Sequence, residues 1–370
     1  MDSKLILAVA GAGKTYKLCH DLDPNERNLL IAYTHQNLDN IRKELKKRLG
    51  KIPKNTHIST FHSFIYQFFI LPFESLIFNH FNVSRYKTDG ITFIDPPKPN
   101  IPKNGSYIYN YRYIKKDKIE HYLHSKRYYC TRMSKLIMEL KDTILERGIL
   151  RLELFFDNIY IDEFQDFREY DYEILMHLVK AKIPCYLYGD YYQHSVSGIN
   201  NSGKPFKKGK NNLSYNEFIE EIKNNGITVD TESLSKSRRC PEEICQFIKE
   251  KLDIDIGCNN ENNGQVIFLY DEEDIEEVIS NEKIVKLVYR DADKYNFPAI
   301  NWSYSKGDTY DSVCVILTGN LSKIDNENFI PPKSITTFNK LYVALSRTKG
   351  DLYLLHKKNF DNYIKNNDTI

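Results

Sequence analysis

An apolar run, Leu5–Ala10, leads without a break into Gly11-Ala12-Gly13-Lys14-Thr15, and a helix-forming stretch, Tyr16–His20, follows. A strand that enters a glycine turn and leaves as a helix aims the helix's unpaired N–H groups at whatever lies beyond the strand end, a setting that suits phosphate. The string Ala8-Val9-Ala10-Gly11-Ala12-Gly13-Lys14-Thr15 fits a phosphate-binding loop, with Ala8 where the general pattern has glycine. In that pattern Ala10, Gly11, Ala12 and Gly13 cradle the phosphates of ATP, Lys14 reaches the β and γ oxygens, and the Thr15 hydroxyl is a ligand for Mg²⁺. A chain carrying such a loop is confined to α/β architectures.

The rest of the sequence agrees. Short apolar runs recur at Leu29–Thr34, Ile159–Asp162, Cys185–Tyr188, Gln265–Tyr270, Ile284–Tyr289, Val313–Leu317 and Leu352–Leu355, with helical stretches between them. Several are continuous rather than alternating, as strands buried on both faces of a parallel sheet require. The polar stretch Gly198–Asn212 separates two groups of such runs, which predicts two sheets, one built before about Asn212 and one after about Thr228. The expected units are 1–70 with 152–212, and 213–370, interrupted by a mostly helical insert over 71–151.

Asp162-Glu163 closes the Ile159–Asp162 run and so lies where ligands gather in open α/β sheets, at the carboxyl edge. Asp162 is a candidate Mg²⁺ ligand and Glu163 a candidate for orienting and deprotonating an attacking water. Gln165 and Asp166 complete the string DEFQD.

With 370 residues and a net charge of +2, the chain has room for two cores and no overall charge that selects or excludes nucleic acid. No apolar run approaches the roughly 20 residues that span a bilayer, and no signal region precedes Leu5, so a cytoplasmic protein without a membrane partner is expected. The seven cysteines are scattered and lack metal-ligand spacing, which predicts reduced structural thiols. Between Tyr107 and Lys135, tyrosines interleave with Lys and Arg, a composition that serves either single-strand binding or an ordinary helical subdomain with a tyrosine core.

AGAGKT, Ser59–Phe64, DEFQD, Gly189–Gln193 and Tyr342–Lys349 occur in the order and setting of superfamily 1 helicases of the UvrD/Rep/PcrA type, which the chain resembles outside its insert. The resemblance implies two RecA-like domains, ATP hydrolysis with Mg²⁺, and 3′→5′ movement on single-stranded DNA. It also implies strand contacts from Tyr33, Thr34 and His35, from Thr60, Phe61 and His62, and from Ser305. Gln193 matches the γ-phosphate-sensing glutamine, Arg239 and Arg347 match the two arginines that cross the interdomain cleft, and Gly307 lies in the loop joining nucleotide to strand. Reduced helicases of this kind also resemble the motor subunit of Gabija-type phage-defence systems, which implies a nuclease subunit as partner.

Departures from the family pattern are specific. No adenine-reading glutamine precedes Leu5, and Arg238 stands where the family stacks a tyrosine on the base. The stretch after Gln193 lacks the family's base-gripping Arg-Gly-Ala, and the short interval from Arg239 to Ser305 has no room for its second large accessory domain. Taken singly, Tyr33 and Phe61 read equally as core aromatics, His62 as a structural histidine, and the two arginines as solvated charges. Two other functions fit the same motifs: an RNA helicase of a related branch, and an ATP-gated nucleic-acid sensor that does not move processively.

Overall fold

The computed structural model describes residues 3–84, 87–103, 106–194 and 203–367. The segment following His194, where the family's base-gripping element is missing, lies largely outside the described residues.

Two parallel sheets carry the fold. The first has six strands: β1 (Lys4–Ala8), β2 (Asn28–Ala32), β3 (Thr56–Thr60), β4 (Asn158–Ile161), β5 (Cys185–Gly189) and β6 (Thr228–Leu234), in the spatial order β6-β1-β5-β4-β2-β3. The second has five: β7 (Val266–Leu269), β8 (Ile284–Val288), β9 (Ala299–Asn301), β10 (Ser312–Ile316) and β11 (Leu352–Leu355), in the order β7-β11-β10-β8-β9. Each of the eight apolar runs expected to be a strand forms one.

Both faces of the first sheet are covered. Along β1, Leu5 and Leu7 join one apolar cluster while Ile6 and Ala8 join another, as the two-residue period of a strand dictates. The second cluster continues through Val313, Val315 and Leu352, so the two sheets share one core. This shared core brings elements of the second sheet over the phosphate loop.

The sheets do not divide where the polar stretch suggested. Strand β6 pairs with β1, matching Lys4 to Thr228 and Leu5 to Val229, and Lys4 Nζ meets Asp230 Oδ2 at 2.7 Å. The preceding helix, Tyr215–Asn224, starts in a Ser214/Glu217 capping box and buries Phe218 and Ile222 in the first core. Residues 215–234 therefore pack with the first sheet. The sequence TVDTESL conceals this because an edge strand keeps one side open to water and needs no apolar run.

The insert is mixed rather than mostly helical. It contains helices Glu74–His80, Cys130–Glu139 and Glu146–Phe155, but also short strands at Ile91–Thr92, Leu123–His124 and Arg127–Tyr129 and a separate two-stranded ribbon, Asn100–Lys103 with Ser106–Tyr109. Aromatic residues alternating along SYIYNYRY favour extended chain over helix.

One expectation about apolar length also changes. The helical stretch Phe61–His80, 20 residues, is long and apolar enough by length and composition to cross a bilayer. In this fold its side chains Phe64, Ile65, Phe69, Ile70, Ile77 and Phe78 fill the first core. All seven cysteines are free thiols.

Candidate functional site: a phosphate loop facing two arginines

Helix α1 (Lys14–Asp21) starts immediately after the glycine turn with no side-chain cap, so its first N–H groups are the natural seat of an anion. Gly13 is its N-cap at φ 92°, and Gly11 has φ 72°. Both need glycine's freedom on the left-handed side. Gly11 needs it twice over, since a Cβ there would lie 2.6 Å from Arg239 Cβ and 2.7 Å from Ser237 Oγ.

The carboxylates meet the loop as the sequence predicts. Thr15 Oγ1 donates to Asp162 Oδ2 at 3.3 Å, and Lys14 Nζ lies 3.6 Å from Glu163 Oε1. Two oxygen donors side by side fit Mg²⁺, which takes few protein ligands and keeps water and phosphate for the rest of its shell. Glu163 itself adopts φ 54°, a costly conformation for a side-chain-bearing residue, which turns its carboxylate into the site.

Glu163 lies between two lysines, because Lys306 Nζ stands 3.8 Å from its Oε2 while holding Asp166 at 2.6 Å. Burial alone would raise the Glu163 carboxyl, but Lys14, then Lys306 and the Gln165 amide, outweigh it and hold it below the usual carboxylate range. Asp162 shifts the other way, raised first by burial and then by its neighbour Glu163. The two adjacent carboxyls are thus pushed in opposite directions, Asp162 upward and Glu163 downward.

A chain of hydrogen bonds leaves Glu163. The Gln165 amide donates to Glu163, Asp190 N–H donates to Gln165 Oε1 at 2.9 Å, and Gln193 Nε2 donates to Asp190 Oδ2 at 2.7 Å. Burial pushes the Asp190 carboxyl up to about 6. Gln193 is thereby connected to Glu163 through Asp190 and Gln165.

Three arginines come from beyond the first sheet: Arg238 and Arg239 follow the short strand Lys236–Ser237, which pairs with Gly257–Cys258 in a two-stranded sheet of its own, and Arg347 follows helix Ile335–Leu345. Arg238 N–H donates to Gly11 O at 3.0 Å, and its guanidinium lies 4.9 Å from the Tyr16 ring centroid, a cation–π pair at the outer rim of the loop. Arg239 Nη1 donates to Ser346 O at 3.1 Å. Arg347 is only 1% exposed; it donates to Val343 O, Ser305 O and Ser346 Oγ. Burial first, then the adjacent Arg239, lowers its pKa to about 10. Gly307 lies in a left-handed turn directly after Lys306, with open space where a Cβ would stand.

The strand-contacting candidates separate into two groups. Phe61 is fully buried, with its ring 4.9 Å from that of Phe167, so it is a core residue and offers no face to a base. Thr60 caps the helix that follows it, and Ser305 is fully buried with its hydroxyl on Trp302 O. Facing outward are Thr34, which caps α2 (His35–Leu49), and His35 at that helix's first position. Tyr33 and His62 are half-buried, their ring centroids 5.4 Å apart. Burial lowers His62 to about 4, so it is neutral at neutral pH. Beside it stands Phe93 of the insert, 72% exposed and 5.9 Å away, a residue with no motif to mark it in the sequence.

Residues within the motif segments take partners that the sequence does not announce. Tyr342 reaches the loop with its hydroxyl, and Gln36 Nε2 joins α2 to the second sheet through Asp308 Oδ1 at 3.0 Å. Lys306 is visible only as the centre of Ser-Lys-Gly, and only the fold shows that Asp166 is its partner.

No protein-family model matches the chain, and no curated protein matches it. Among solved structures it is similar to arterivirus nonstructural protein 10, a helicase, at 14% identity and a TM-score of 0.47, over 98% of this chain and 61% of that one. A structure of the same arterivirus protein with DNA matches at 13% identity and 0.46, covering 98% and 62%. The PRRSV helicase matches at 13% and 0.44, covering 96% and 52%. The chain thus spans less than two thirds of the length of each.

Proposed function

We propose that this chain is a nucleic-acid-dependent ATPase of the superfamily 1 helicase type, binding ATP and Mg²⁺ between its phosphate loop and the arginines Arg239 and Arg347. The observation that carries this reading is the burial of Arg347 beside Arg239, with neutral oxygens as its recorded hydrogen-bond partners and no ion pair among the described residues. A buried cation with no carboxylate bonded to it is costly, Glu163 and Asp190 act on Arg347 only at a distance, and the negative charge of a polyphosphate would compensate it more fully.

In this reading Lys14 exchanges its contact with Glu163 for phosphate oxygens, and Thr15 with Asp162 holds the metal. Mg²⁺ would supply charge neutralisation at the phosphates. Glu163, kept ionised, orients and accepts a proton from water, while Arg239 and Arg347 stabilise charge on the group in transfer. Tyr16 and Arg238 flank the place for the base. Thr34, His35, Tyr33 and His62 contact the strand.

The finer parts extend the motif resemblance: kinship with UvrD, Rep and PcrA, single-stranded DNA as the track, 3′→5′ polarity, a cytoplasmic setting, and a nuclease partner as in Gabija-type defence. The test is ATP hydrolysis by the purified chain with single-stranded DNA, with RNA, and without either, alongside fork unwinding at matched salt. Stimulation by DNA with weak unwinding of long duplex is expected, since the Arg239–Ser305 interval holds two helices, Glu242–Leu252 and Glu272–Ser280, among short strands and no large further unit. Stimulation by RNA alone would move the protein to the RNA-helicase branch. No turnover under any of the three conditions would refute the reading.

A further inference from the structure

The tyrosines of the insert divide into two sets that composition does not separate. Tyr122, Tyr128 and Tyr129 are 1%, 0% and 4% exposed and form part of a core, whereas Tyr107, Tyr109 and Tyr111 are 76%, 62% and 80% exposed. The exposed three lie on or directly after the ribbon in which Asn100–Lys103 pairs antiparallel with Ser106–Tyr109, with Ile101 opposite Ile108. The two-residue period puts Tyr107 and Tyr109 on one face of it and Ile108 on the other.

The ribbon is a two-stranded sheet by itself, a form that is marginal in water unless something packs on it. Its root is nevertheless firmly held. Asn110 is 7% exposed; its N–H donates to Pro99 O at 2.8 Å and its side-chain amide to Lys98 O at 2.9 Å. Arg132, from the helix beneath, donates to Pro97 O at 2.9 Å. The arm therefore projects three tyrosine rings from an anchored base.

Cations accompany the rings. The Arg112 guanidinium lies 5.6 Å from the Tyr111 centroid, and exposed Lys115, Lys116 and Lys118 follow, against the single carboxylate Asp117 within that run. Exposed rings interleaved with positive charge suit a flexible polyanion with flat apolar bases: every base offers a face to stack, and its phosphates meet the cations. Lys116 Nζ already lies 3.8 Å from Glu139 Oε1, and an apolar protein partner would leave the charges of Arg112, Lys115 and Lys118 without an answering group.

We propose that the face carried by strand Ser106–Tyr109 and the residues after it is a binding site for single-stranded nucleic acid, with bases stacking on Tyr107, Tyr109 and Tyr111 and phosphates meeting Arg112 and the following lysines. The inference rests on the motor reading for the class of ligand, but it concerns a surface that none of the helicase motifs occupies. Because the stacking face is common to all bases, binding by the arm is tolerant of sequence.

The experiment uses the full chain and fluorescence anisotropy with labelled oligo-dT and oligo-U. One variant carries Tyr107→Ala, Tyr109→Ala and Tyr111→Ala together; a second carries Phe at all three positions. The Ala variant is expected to bind roughly tenfold or more weakly, while the Phe variant stays within about twofold of wild type, because stacking needs the ring and not the hydroxyl. The salt dependence should be nearly unchanged in both, as the phosphate contacts remain. Unaltered affinity in the Ala variant overturns the proposal, as does an equal loss in the Phe variant, or intact strand binding with lost self-association in light scattering. ATPase assays separate this from the motor reading. Strand binding lost in the Ala variant of a chain that never hydrolyses ATP would uphold the arm and refute the motor, and unchanged half-stimulating DNA in an active Ala variant would do the reverse.

Discussion

The backbone N–H of Ala10, inside the phosphate loop, donates to the Tyr342 hydroxyl at 2.7 Å in a buried setting. Tyr342 belongs to helix Ile335–Leu345, the helix that ends at Ser346 and Arg347, and its ring meets Tyr192 edge-on at 5.7 Å. One residue on from Tyr192 is Gln193, the end of the hydrogen-bond chain from Glu163. The loop, Glu163 and Arg347 are thus tied to one helix.

Tyr342→Phe keeps the ring contact with Tyr192 and leaves the Ala10 N–H buried without its acceptor, a loss of about 1–3 kcal/mol. That loss falls on the contact between the second sheet's elements and the loop. We expect kcat for ATP to drop by roughly tenfold with a much smaller change in KM, measured by steady-state hydrolysis at saturating nucleic acid. Equal changes in kcat and KM, or none, would remove Tyr342 from the coupling.

Glu163 has a different signature. Glu163→Gln keeps the shape and the position beside Lys14, so nucleotide binding is expected to survive while turnover falls on the order of 10²–10⁴-fold, the usual range for a lost general base. Lys14→Ala should weaken binding itself. A fluorescent nucleotide titration run beside the ATPase assay distinguishes the two, and near-normal turnover in Glu163→Gln would exclude its role as base.

What the sequence reveals here depends on whether a residue's partner is local. The phosphate loop and the Asp162-Glu163 strand end are legible because their chemistry requires a strand-turn-helix and a strand terminus, both written in consecutive residues. Strands such as Asn28–Ala32, buried on every residue, advertise themselves as unbroken apolar runs. Strand Thr228–Leu234 does not, since an edge is largely polar, and so the border between the sheets was misplaced. Phe61 shows the converse. Its motif suggests a surface role, yet the packing of Phe167 and Phe64 around it makes it core. Tyr342, Lys306 and Phe93 matter only through residues more than 30 positions away, which no local pattern announces.

A pH effect follows from Asp171. It accepts the Tyr33 hydroxyl at 3.4 Å, and burial raises its pKa from 3.8 to about 6 despite that bond and one from Ser134. The folded state therefore holds this proton more tightly than the unfolded chain. Its stabilising effect is complete below 3.8 and is lost as pH rises through about 6. Asp171→Asn removes the ionisation, so the variant's Tm relative to wild type should climb from about pH 4 to about pH 7 and then level off. A difference in Tm that is flat with pH would show that Asp171 titrates alike in both states.

The sharpest test of the nucleotide site concerns Arg347. Its guanidinium is almost completely buried, is bonded to Val343 O, Ser305 O and Ser346 Oγ, and lies close enough to Glu163 to help lower that carboxyl. Arg239 shares the environment and lowers the pKa of Arg347. Two like charges held together in the interior repel, so an anion that binds between them gains from both. If Arg347 acts on the phosphate in transfer, Arg347→Ala should cost roughly 10³–10⁵ in hydrolysis. Arg347→Lys should recover little, because an ammonium cannot reproduce the planar fork. Stability reads in the other direction. Removing a buried cation that no ion pair holds relieves repulsion on Arg239, so the apo Ala variant should melt no lower than wild type except for the three lost hydrogen bonds and the weak attraction to Glu163 and Asp190, and the Tm increase produced by ATP analogue and Mg²⁺ should shrink. A variant that loses activity in proportion to its loss of Tm, with the nucleotide-induced increase intact, would make Arg347 a structural residue and leave Arg239 as the sole trans-acting arginine.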